Sequence, residues 1–351
     1  PRSSWRACAG SSKRRWRSMS FASSAEQPGA ASQTLNIGST GLPFDATVTA
    51  TTSSGANWLS VTPSRATTPL QAVVSVNTTG LAAGAYQGSI IIASGTQSIA
   101  PVTIPVTLTV TLPAPVLAAI RNAASYAGGG VSPGEIVTIF GSGMGPGALV
   151  TSTVTSRGTV DTTAGGTIVT FDGVAAPVLY SRADQLSVIV PYSVDGKAST
   201  QVQIGYRGAL STAFAVPVAP SAPGLFTMTA SGIGAAAALN QDGSYNTPTS
   251  GAAPGSIVVL YATGEGQTSP GGSDGLLAAS VYPKPLLPVT VTIGGVTAEV
   301  LYAGAAPTYS AGLMQVNVRV PGSAPRGASV PVVLTVGAAS SQSGVTIYTQ
   351  P

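Results

Sequence analysis

The sequence predicts an all-β chain built as three tandem β-sandwiches, and three observations predict it. The first is composition. Charged residues make up 7% of the 351 positions, apolar residues 44%, and the chain holds 43 Gly and 27 Pro, whereas a typical globular chain is about one quarter charged. Disordered chains are poor in Val, Ile and Tyr; this one is rich in Val, Thr and Ala, so it reads as strands separated by turns. The second is alternation: Val73-Val74-Ser75-Val76, Ser89-Ile90-Ile91-Ile92 and Val102 to Val110 place apolar residues at every second position, the period of half-buried strands. The third is an internal duplication. Pro133-Gly134-Glu135-Ile136-Val137-Thr138-Ile139-Phe140 returns as Pro254-Gly255-Ser256-Ile257-Val258-Val259-Leu260-Tyr261, Phe171 to Tyr180 as Ile293 to Tyr302, and Gln185 to Pro191 as Gln315 to Pro321.

Taken in order, residues 1–33 are expected to form a disordered basic leader or a misassigned gene start. Arg2, Arg6, Lys13, Arg14, Arg15 and Arg17 lie there, and the chain beyond Gln27 is nearly neutral, so the net charge of +4 does not point to a nucleic-acid partner. No secretory apolar stretch precedes Gln27 and no apolar run reaches the roughly 20 residues of a membrane helix, which argues against membrane insertion. Cys8 is the single cysteine, so no disulfide forms within one chain.

The first sandwich is expected over 34–112, ending at the stiff Leu112-Pro113-Ala114-Pro115 connector. Pro105 removes a ladder donor, which predicts an edge position or a bulge for the strand that carries it. The second spans 116–220 with the first repeat copy. After the Ala219 to Gly224 linker, the third spans 221–351 with the second copy. Asn122-Ala123-Ala124-Ser125-Tyr126 precedes the first Pro-Gly strand and Asn240 to Asn246 the second, where Asp242-Gly243 is a hairpin signal.

Candidate chemistry is sparse. Gly143-Met144-Gly145-Pro146-Gly147-Ala148 fits a loose dinucleotide-binding turn, but the β-branched Thr151 to Thr155 stretch that follows cannot open the helix such a site needs, so no cofactor is expected. With no histidine, a Ser-His-Asp arrangement cannot form. Lys284 lies between two prolines, an exposed context for an amine. Asp172, Asp184, Glu265 and Asp274 are the acids a hydrolase would draw on, without a local motif; Asp184, Asp195 or Asp242 beside glycine turns are the loops where calcium ligands would be sought, without an EF-hand pattern. Trp58 and Tyr86 are the candidate ligand-binding residues. An exposed Trp58 would stack on a sugar ring, although filling the inter-sheet core is the commoner role for a lone Trp at a strand start. Tyr180 and Tyr302, equivalent in the repeat, read as packed structural residues.

These residues carry family resemblances. Asn122 to Tyr126, Pro133 to Gly143 and Val258 to Pro270 resemble the Solibacter-type uncharacterised C-terminal domain. Each half separately resembles an IPT/TIG immunoglobulin-like domain, through Gly173-Val174-Ala175-Ala176 and Val190-Pro191, then Gly295-Val296-Thr297-Ala298 and Val320-Pro321; the second copy departs at Thr263-Gly264-Glu265-Gly266. Trp58 to Ser64 and Tyr86 to Ile92 resemble a BACON domain, a Bacteroidetes-associated type held to bind carbohydrate, with Arg65-Ala66 in place of the usual glycine. The resemblance implies three immunoglobulin-like sandwiches of a large bacterial surface or secreted protein. The expected function is a non-enzymatic extracellular or cell-surface adhesion module contacting a polysaccharide or glycan, alongside other domains of a longer polypeptide. A structural spacer is the alternative, and a hydrolase the third reading.

Overall fold

The computed structural model describes residues 5–9, 17–24, 31–39, 42–53, 57–95 and 100–350, and the chain divides into two compact units, Pro1–Pro113 and Ala114–Pro351. Among the described residues every regular element longer than one short 3₁₀ turn is a strand, and the strands form sandwiches of immunoglobulin type.

In the first unit a four-stranded sheet runs in the order Trp5–Ala9, Ser32–Ser39, Leu70–Val76, Leu59–Thr62. A five-stranded sheet runs Met19–Ser24, Val102–Thr111, Gly84–Ser94, Asp45–Thr52, Arg65–Thr67. The alternation seen in the sequence is the inside–outside alternation of these strands: Ala72, Val74 and Val76 are buried while Val73 faces out, and Ile104, Val106, Leu108 and Val110 point inward together.

Two expectations change here. Residues 5–9 and 19–24 fall in the segment expected to be disordered, yet they pair as strands, the first antiparallel to Ser32–Ser39 and the second parallel to Val102–Thr111. For the second, Met19 and Phe21 supply the reason, since both side chains lie in the hydrophobic core and their burial outweighs the basic character of the residues before them. The rest of that basic stretch, 1–4 and 10–16, lies outside the described residues. Likewise, the strand carrying Pro105 is not an edge strand along its length. Met19–Ser24 pairs with it from Val106 to Thr111, so Pro105 sits one residue before that partner begins, where a missing N–H costs no ladder bond.

In the second unit each repeat copy is a sandwich with its own core, and the two are parts of one compact unit. The first copy has a five-stranded sheet centred on Ile136–Ser142 and Gln185–Ile189, packed on a second sheet centred on Thr167–Phe171 and Ser199–Tyr206. In the second copy one continuous ten-stranded sheet curls round to make both layers. The difference traces to one position. Pro177 separates Val174–Ala175 from Val178–Ser181, each pairing in a different sheet. Its counterpart Glu299 can donate to the ladder, so Val296–Ala305 runs through unbroken, pairing first with Val289–Ile293 and then with Met314–Arg319, with a bulge between Val300 and Tyr302. Glu299 lies opposite Arg319 and accepts from its Nε at 2.8 Å.

Candidate functional site

The repeat copies meet along a polar seam. Glu135, fully buried just before the Ile136–Ser142 strand, accepts from Asn122 Nδ2 through Oε1 at 2.9 Å and from the Ser132 amide through Oε2 at 2.7 Å. Asn122 Nδ2 also donates to the Ala222 carbonyl of the second copy, at 2.9 Å, and the Ile136 amide donates to Thr263 Oγ1 at 2.8 Å. Ser221 Oγ donates to the Val336 carbonyl at 2.8 Å, so the expected 219–224 linker is packed into the structure. Burial pushes the Glu135 carboxyl up to about 8; the bonds from Ser132 and Asn122 hold it lower than burial alone would, and the neighbouring Glu265 adds to the rise.

On the other side of Glu265 lies a cavity of about 280 Å³. Its walls are mainly apolar, with Leu276, Leu277, Val281 and Pro283 among them, and Tyr192 and Glu265 supply most of its ionisable chemistry. Glu265 is 3% exposed, and its Oε2 has no hydrogen-bond partner. Burial alone raises this carboxyl, to about 7, against a small opposing bond from its own amide. The Tyr192 ring is clamped between glycines: a Cβ on Gly134 would fall 2.5 Å from it and one on Gly272 2.3 Å, so no larger residue fits either place. The Tyr192 amide donates to Asp274 Oδ1 at 2.8 Å. Burial raises the Tyr192 phenol and the Asp274 carboxyl above their ordinary values, Glu265 and Asp274 adding to the former.

A second concavity, an open cleft of about 400 Å³, lies at the hairpin the Asp242-Gly243 pair signals, bordered by Asn240, Gln241, Asp242, Ser250, Ser256 and Gln350. Asn240 organises it. Its Nδ2 donates to the Ser250 carbonyl at 2.8 Å and to Ser244 Oγ at 3.1 Å, while its Oδ1 accepts from Asn246 Nδ2 at 2.9 Å. Asp242 Oδ1 accepts from Ser244 Oγ at 2.7 Å and the Ser244 amide at 3.0 Å; these two bonds hold its carboxyl below the usual range. On the same hairpin Tyr245 is 64% exposed.

Of the two roles weighed for Trp58, the structure shows the packed one: the side chain is 2% exposed within the first unit's core. Tyr86 packs edge-on against it with ring centres 6.4 Å apart and donates its hydroxyl to the Ala82 carbonyl at 2.9 Å. The four acids a hydrolase would need do not converge. Asp172 binds Lys197, Thr200 and the Gln201 amide, Asp184 pairs with Arg182, and Glu265 and Asp274 come together at Tyr192. Tyr180 accepts from Gln185, and Tyr302 donates to the Ala305 carbonyl. Among the described residues no three His, Cys, Asp or Glu gather to hold a metal. Glu135, Glu265 and Tyr192 as one constellation escaped the sequence reading. The signal that was present is Glu265 itself, which breaks the apolar pattern of the repeat.

Residues 16–109 match the Viral BACON domain model and residues 126–217 the IPT/TIG domain. No curated protein matches the chain. Among solved structures, the chain is similar to the Bacteroides ovatus mixed-linkage glucan utilization locus SGBP-B in complex with a mixed-linkage heptasaccharide, at 12% identity and a TM-score of 0.28 over 96% of this chain and 67% of that one. It is similar to a protein of unknown function from Porphyromonas gingivalis W83, at 14% identity and 0.24 over 61% and 97%. Domains 5-6 of the S-layer protein SbsC give 17% and 0.18 over 57% and 93%. By its family matches, the chain contains a BACON domain over residues 16–109 followed by an IPT/TIG-like domain over 126–217, in a tandem immunoglobulin-like fold.

Proposed function

We propose that this chain is a non-enzymatic, adhesion-type module of an extracellular or cell-surface protein, and that it contacts glycans at the cleft beside Asn240. The observation that carries this reading is a prearranged polar cleft at a hairpin that also bears an exposed ring outside the cleft's lining. Sugar recognition needs hydrogen-bonding groups held in place and an apolar face to stack on; Asp242, Gln241 and Ser250 supply the first and Tyr245 the second. Two of the acids elsewhere, Glu135 and Asp172, are spent on structural hydrogen bonds, and the chain has no imidazole to act as base, which supports a non-catalytic role. As part of the same proposal, the second unit is placed in the Solibacter-type C-terminal family on its duplicated Pro-Gly strands.

The test is a glycan array probed with the full chain, the parent beside Tyr245→Ala and Asp242→Asn. Binding by the parent that falls at least tenfold in both variants supports the cleft. A second reading, a rigid spacer holding other domains of a longer polypeptide, is favoured by the burial of Trp58 and by the joining of the two copies into one compact unit. Failure of the parent to bind any glycan would select it.

A further inference from the structure

The seam cavity is independent of the glycan cleft, and Glu265 is its unexplained feature. Each copy has a Gly-x-Gly turn after its Pro-Gly strand, Gly143-Met144-Gly145 in the first and Gly264-Glu265-Gly266 in the second. Met144 fills the first core without exposure. A carboxyl at the equivalent place brings a burial cost that its own amide offsets only in part, since Oε2 bonds to nothing among the described residues. Glu135, the other buried acid, is by contrast fully engaged.

What faces Glu265 narrows the chemistry that would satisfy it. The titratable groups around it are Tyr192, Asp274 and Glu135, every one neutral or negative. No Lys or Arg lines the cavity; Lys284, next in sequence to the wall residue Pro283, holds its ammonium 6.0 Å from the centre of the Tyr302 ring. An anion would be repelled there. A neutral hydroxyl would meet one oxygen and leave the acidic surroundings uncompensated. A cation with an apolar stem satisfies both parts of the site, the ammonium against Glu265 and the stem along Leu276, Leu277 and Val281.

We propose that the seam cavity beside Glu265 binds an aliphatic primary ammonium group, carried either by a free alkylamine or by a lysine side chain. Binding moves one proton: the neutral carboxyl gives its proton to solvent as the ammonium arrives, and the ion pair formed is enclosed by the apolar walls.

The test is calorimetric titration of the full chain with pentylamine and with 1-pentanol, a neutral probe of the same length, at pH 6 in two buffers of different ionisation enthalpy. Pentylamine is expected to bind at least tenfold more tightly than 1-pentanol and to release a proton. Glu265→Gln, checked for cooperative unfolding, is expected to lose that preference. Ala311→Leu, which adds bulk to the cavity wall and leaves Glu265 in place, is expected to abolish binding of both probes. A lysine tripeptide with blocked ends and its Nε-acetyl form separate the two sources: binding of the unacetylated peptide assigns a protein side chain, and binding of pentylamine alone assigns a free amine. Equal affinity for pentylamine and 1-pentanol, no binding of pentylamine, or undiminished preference in Glu265→Gln would overturn the proposal.

Discussion

Glu265 occupies in the second repeat the place of Met144 in the first: both are the middle residue of a Gly-x-Gly turn, and both are buried. One turn thus presents a core thioether in one copy and, in the other, a carboxyl whose Oε2 has no partner. Restoring the first copy's solution in the second, Glu265→Met, is expected to raise the unfolding free energy of the second unit by about 1–3 kcal/mol at pH 8, the cost of an unsatisfied buried polar group. Urea denaturation at that pH measures it, and a loss of stability would show that the acid is held by bonds other than those seen.

The buried acids give stability a pH dependence of definite sign. Glu135 and Glu265 carry folded values of about 8 and about 7 against an ordinary 4.5. Below about pH 4.5 both are protonated folded and unfolded, and their contribution is fully present. As pH rises from there to about 8 the unfolded chain releases protons that the folded chain retains, so stability falls, by at most about 1.4 kcal/mol per pH unit for each group. The urea midpoint of the second unit is therefore expected to drop between pH 5 and pH 8. Glu265→Gln should flatten the part of the profile below pH 7; Asp172, whose bonds with Lys197 and Gln201 lower it to about 2, acts in the opposite direction and only in acid.

Trp58 can be separated into its packing and its polar handle. Its Nε1 has no hydrogen-bond partner, so Trp58→Phe gives up ring area and no bond. Trp58→Ala is expected to destabilise the first unit by about 3–5 kcal/mol, and Trp58→Phe by clearly less. Glycan binding by Trp58→Phe should equal that of the parent, as read on the same array.

Equivalent glycines in the two turns differ in what they allow. Both have positive φ, 63° at Gly143 and 85° at Gly264. A Cβ at Gly143 would meet nothing within 4 Å, whereas one at Gly264 would fall 2.0 Å from the Ala222 carbonyl, the group that accepts the bond from Asn122 of the first copy. Gly143→Ala is expected to cost about 1–2 kcal/mol, the left-handed penalty alone. Gly264→Ala should cost on the order of 3 kcal/mol or more and loosen the contact between the copies, visible as faster amide exchange at Ile136.

Much of this was legible in the residues. Alternation in Leu70–Val76 and Val102–Thr111 gave the buried faces directly, because a strand with one face in the core has no other solution. The repeat gave two related sandwiches, and Asp242-Gly243 gave the turn at the polar cleft. What the residues hid are pairings with no local signature. Met19–Ser24 has only Met19 and Phe21 to mark it, and its partner lies more than eighty residues away. The seam escaped for the same reason: Glu135 and Glu265 sit in different copies, and nothing near either one shows that folding removes both from water. Trp58 could be read either way, since a ring suited to stacking is also suited to filling a core.

The parallel pairing of Met19–Ser24 with Val102–Thr111 joins the first and last strands, in chain order, of the five-stranded sheet, from Met19 opposite Val106 to Ser24 opposite Thr111. Tension entering ahead of Met19 and leaving after Thr111 pulls on opposite ends of that pair. Its hydrogen bonds are then loaded together in shear, where an antiparallel hairpin pulled from its open end would unzip one bond at a time. Once the short Trp5–Ala9 strand has peeled away, a load that stretches the first unit meets this pair in its more resistant geometry.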